Sequence, residues 1–135
     1  MPPPQMTILN APIRDACVAR RERTNTPSQA LLLLNEGEYI KAARSLALKT
    51  LALDKLDAAG RVEHAYETVT SRLPDENERT ILLELVADLQ KSYSENPALA
   101  EEICRGVPTD EKPRLAAWTV LVNAIYNLDI TKTRE

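Results

Sequence analysis

Three arginines within four positions, Arg20, Arg21 and Arg23, run directly into Thr24-Asn25-Thr26-Pro27. This is the constellation with a chemical mechanism attached. A helix beginning at Pro27 would turn free N–H groups and the positive end of its dipole toward the segment, which favours an anion. A sulfate, phosphate or carboxylate could sit between Arg21, Arg23 and the Thr24–Thr26 backbone, with Arg20 beside them. A structural account competes for the same donors. Arginines next to a capped helix commonly pair with acids elsewhere in the fold. Pro27 removes one N–H, and the Thr26/Gln29 pair occupies others. Arg20, Arg21, Arg23, Thr24, Asn25 and Thr26 are therefore read first as a structural clamp and second as an anion site.

Other catalytic templates are not met. His64 is the single histidine and lies between charged neighbours in "RVEHAYE", so it reads as a solvent-facing helical residue rather than a metal ligand. Three scattered glycines cannot build a phosphate loop. There is no Cys-x-x-Cys-His haem attachment and no Gly-x-Ser-x-Gly elbow. The acid clusters Asp75/Glu76/Glu78, Glu101-Glu102 and Asp110-Glu111 fall at helix starts or on exposed faces, where dipole compensation explains them. Cys17 and Cys104 are far apart and read as two unlinked thiols. No catalytic, cofactor-binding or metal-ligating residue is assigned, and the chain alone is not expected to be an enzyme.

The elements that would position these residues are helical. Thr26-Pro27-Ser28-Gln29 is a capping box with proline at the first helical position. The run Leu31–Leu34 behind it is apolar all round, which predicts a short buried helix closed near Gly37. A second helix is expected over Glu38–Leu53, burying Ile40, Ala43, Ala47 and Leu51 with Lys41, Arg44 and Lys49 turned away. A third over Ala58–Ser71 should bury Val62, Ala65, Tyr66 and Val69, ending before Leu73-Pro74. Asp75-x-x-Glu78 starts a fourth, reaching Ser94 and burying Ile81, Leu82, Leu85, Val86, Leu89 and Tyr93. A short helix follows from Asn96-Pro97 to Cys104. The last spans Pro113–Leu128, with Leu115, Trp118, Val122, Ile125 and Tyr126 inward and Trp118 as the largest anchor. The expected fold is all-α: five or six helices in an irregular bundle over 27–135, behind an irregular, extended segment over 1–26 where Pro2–Pro4 and Pro12 block regular structure.

Composition agrees. With 135 residues the chain suits one domain, and with no Phe and 4% aromatics its core must rest on Leu and Ala, both helix formers. Charge is uneven: four arginines against Asp15 and Glu22 give the first 35 residues +2, while 13 basic and 18 acidic residues give the rest −5. An acidic body argues against nucleic acid as a partner. The longest apolar run, Ala30–Leu34, is far short of the roughly 20 residues of a membrane span. "MPPPQMTILNAP" has no basic stretch followed by an apolar one, so on its own the chain reads as cytoplasmic.

Four blocks, "CVARRERTNTPSQALLLLN", "YIKAARSLA", "RVEHAYETVTSRLPDENE" and "LAAWTVLVNAIYNLDITKTRE", resemble in order the C-terminal part of the planctomycete-specific domain of unknown function, family fifteen fifty-three. The resemblance runs from Pro4 to Glu135. It is most specific at Arg21–Asn35 and at Ala117–Glu135, where Trp118, Asn123, Leu128 and Asp129 lie. It implies a domain at the C-terminus of large exported proteins, often with planctomycete-type cytochrome c domains upstream and a setting of polysaccharide breakdown or electron transfer. Haem is then expected only in upstream domains, with none in this chain. Because "MPPPQM" resembles internal family sequence, the chain is expected to be a C-terminal fragment. Its partners are then upstream domains of the same polypeptide or another protein, and its location periplasmic or exported. Two alternatives stand beside this: part of a hydrolase or oxidoreductase using the arginine cluster, and a stand-alone cytoplasmic helical adaptor.

Overall fold

The computed structural model describes residues 37–128 and Thr131. Arg20–Thr26, the Thr26–Gln29 capping box, Leu31–Leu34, Cys17 and the irregular segment 1–26 lie outside the described residues. Within them are five helices: α1 (Gly37–Leu51), α2 (Ala58–Thr70), α3 (Glu76–Glu95), α4 (Pro97–Ile103) and α5 (Lys112–Tyr126). The all-α expectation holds, and each boundary falls within about two residues of the one read from sequence.

The helix ends follow local chemistry. Asp57 caps α2, its side chain accepting from the Gly60 N–H at 2.8 Å. A Cβ on Gly60 would lie 3.2 Å from that carboxylate and 3.3 Å from Leu56, so a larger residue would press on the cap. Helix α2 ends at Ser71, the boundary read from the sequence, and does so through the left-handed backbone of Ser71 (φ 62°), which returns its N–H to the Glu67 carbonyl, two residues ahead of Leu73-Pro74. Asp75 and Glu78 form the anticipated capping box at the start of α3. Pro97 and Pro113 each stand in the first turn of a helix, where the missing N–H costs nothing.

Helix α5 is the centre of the molecule and packs against all four others. Leu115, Ala116, Ala117, Trp118, Thr119, Leu121, Val122, Asn123 and Ile125 are all buried on it. The sequence reading gave it a single stripe, but burial runs round the helix, as expected for an element enclosed on most sides. Trp118, 2% exposed, heads the fully buried side chains. Ala43 and Ala47 from α1, Val62, Ala65 and Tyr66 from α2, Leu82 and Val86 from α3, and Ala100 of α4 with Cys104 just beyond it complete the core among the described residues. Small alanines on α1 and α5 permit close approach of the two helices.

Two inward-outward assignments need correction. Ile81 is 63% exposed rather than buried, because α3 turns its Leu82/Val86 line to the core and leaves the preceding position outside. Arg44 does not face away: its Nη1 donates to the carbonyls of Ile103 (2.8 Å) and Arg105 (3.1 Å), tying α1 to the C-terminal end of α4. A cation is well placed there, where helix carbonyls lack partners.

Candidate functional site

The strongest cluster of ionisable groups among the described residues lies at the α2–α3 junction, with Glu78 at its centre. Oε1 of Glu78 accepts from the Tyr66 hydroxyl at 2.8 Å and from Arg72 Nη2 at 2.6 Å. Oε2 accepts from Arg72 Nη1 at 2.8 Å and from the Asp75 N–H at 2.9 Å. A carboxylate offers about four acceptor positions, and here all are used. The same Arg72 stands with its Cζ 5.1 Å from the Tyr66 ring centre, adding a cation–π contact.

These contacts move the titrations in opposite directions. The bidentate hydrogen bonds from Arg72, followed by the Asp75 N–H and the Tyr66 hydroxyl, hold the Glu78 carboxyl down at about 2 against the opposing cost of burial. Burial, then the hydrogen bond to Glu78, pushes Tyr66 up to about 12. Arg72 is raised above its ordinary value, chiefly by its hydrogen bonds to Glu78. Shifted groups are often catalytic, but a general acid or base needs an acceptor or donor position left for substrate. At this junction each position closes the turn instead.

Among the described residues, hollows open between the helices. One, of about 470 Å³, is lined by Tyr39, Ala42 and Leu46 of α1, Thr68 and Val69 of α2, Tyr126 of α5, and Thr131. Its two threonine hydroxyls are spent locally: that of Thr68 donates to the His64 carbonyl at 2.7 Å, and that of Thr131 to the carbonyls of Tyr126 and Leu128. Burial raises Tyr126 above the usual phenol value. The walls thus offer apolar surface and two aromatic rings. The second hollow, about 300 Å³, lies between the end of α3 and the start of α5, lined by Gln90, Ser94, Glu111, Pro113 and Arg114. Arg114 there is paired with Glu111 at 2.9 Å.

The other candidates resolve simply. Among the described residues no group of three His, Cys, Asp or Glu could hold a metal ion. His64 is half-buried in the middle of α2 rather than fully solvent-facing. Cys104 is a buried free thiol whose Sγ donates to the Lys112 carbonyl at 3.4 Å. Burial raises its pKa, so it stays protonated and unreactive. The arginine cluster Arg20, Arg21, Arg23 with Thr24, Asn25 and Thr26 lies outside the described residues. Sequence reasoning found the Asp75/Glu78 cap but missed Tyr66 and Arg72 as its partners, and missed the groove. The groove did leave a signal: Tyr39, Ala42 and Leu46 form a second apolar stripe on α1 at steps of three and four.

Among the described residues no helix is long and apolar enough to cross a membrane. A family model described as "Protein of unknown function (DUF1553)" matches residues 1–86. The matched span takes in the arginine cluster, the leucine run, α1, α2 and the first half of α3; the block Ala117–Glu135 lies beyond it. No curated protein and no solved structure matches.

Proposed function

The chain belongs to the DUF1553 family, and on that premise we propose that it is a non-catalytic helical domain with a structural and interaction role. It packs against, or completes, a larger exported multidomain protein concerned with polysaccharide breakdown or electron transfer. Its partners are upstream domains of the same polypeptide. The reading is supported above all by the saturation of Glu78. The most perturbed carboxylate among the described residues gives all its acceptor positions to Tyr66, Arg72 and Asp75, which join two helices. Arg44 is spent in the same way on the end of α4.

The test is an assay of the purified full chain against glycans, sulfate esters and small redox substrates, beside an Arg21→Ala/Arg23→Ala double variant. No turnover by the parent is expected, together with a lower melting temperature in the variant if those arginines clamp the fold. Turnover by the parent that the double variant abolishes at unchanged melting temperature would overturn the reading in favour of an enzymatic anion site.

A further inference from the structure

We draw no further inference here: the strongest candidate, the groove of about 470 Å³ between α1, α2 and the end of α5, is a largely apolar hollow, and nothing in the structure shows what covers it.

Discussion

Helix α2 serves two regions built on opposite principles. Through Tyr66 it enters the junction with α3, where Arg72, Asp75 and Glu78 satisfy one another and the carboxylate has no acceptor position left. Through Thr68 and Val69, two and three residues on, it lines the groove with Tyr39, Leu46 and Tyr126; among the described residues no charged side chain lines it. The junction fixes an angle between helices by directional bonds and specifies itself completely. The groove is lined by apolar side chains and by threonines whose hydroxyls bond nearby carbonyls of the same segment rather than across the gap. The largest shifts therefore mark the self-contained junction, driven by directional bonds to a charge, whereas the groove shows only the rise that burial gives Tyr126.

Both regions hang on α5, and the largest expected effect comes from removing that common support. Trp118→Ala should cost about 3–5 kcal/mol, the range for truncating a buried aromatic. Urea unfolding followed by circular dichroism would measure it. If the junction and the groove share one cooperative core, both should loosen together in hydrogen exchange. Loss confined to one side would break the domain into two independent halves.

Glu78→Ala separates the regions. It removes half of a capping box, the bidentate pair with Arg72 and the acceptor of a buried phenol, for a combined cost of about 2–3 kcal/mol. Groove-side amides of α1 should be unaffected, and a shift there would show that the junction also sets the groove's shape. Tyr66→Phe tests the phenol alone and should cost about 1 kcal/mol, because it deletes one donor while leaving Glu78 its three other hydrogen bonds, two from Arg72 and one from Asp75.

Acid should act on the junction and spare the groove. In the fold Glu78 stays ionised down to about 2, against an ordinary value of 4.5. Its folded pKa is depressed, so its contribution is present in full above about 4.5 and is lost as pH falls through about 2. Both side chains of the pair are partly solvated, 41% for Arg72 and 31% for Glu78. Screening therefore trims the loss to on the order of 1–2 kcal/mol. Urea midpoints of the parent should decline across that window more steeply than those of Glu78→Gln. Equal slopes would assign the acid sensitivity to other carboxylates.

How much of this was legible follows the same division. The capping box at Asp75 and Glu78, the proline-led helix starts and the anchoring role of Trp118 are local or periodic signals, and the chain displays them directly. What escaped depends on three-dimensional neighbours. Arg44 looks like any solvent-facing arginine at its helical position, and only the approach of α4 makes it a clamp. Ile81 shares the leucine-like periodicity of α3, but the face of the helix that meets α5 was set by Leu82 and Val86. The joining of Tyr66 to Glu78 crosses a turn whose geometry depends on Ser71 adopting a left-handed backbone, which no residue preference at serine announces. Helix α5 carried only one legible stripe because alanine and threonine on its other faces do not register as a hydrophobic pattern.

The smallest effect tests the rule that polar groups inside this domain are partnered. Thr50 breaks it on α1, the helix shared by core and groove. It is 0% exposed, and its hydroxyl oxygen has no hydrogen-bond partner among the described residues. An unpaired buried hydroxyl forgoes its water bonds for nothing, a cost of about 1 kcal/mol or more. Valine has nearly the same shape and the same branching at Cβ, so Thr50→Val keeps the packing and the side-chain rotamer restriction while deleting the orphan. The variant should raise stability by about 0.5–1 kcal/mol, seen as an increase in the thermal midpoint at unchanged denaturant slope. Stabilisation would place Thr50 with the apolar stripe of Ala43 and Ala47, on which the oxygen is a misfit. Destabilisation would mean that the hydroxyl has a partner in the folded molecule, and that α1 needs a polar contact at its C-terminal end as much as the junction does.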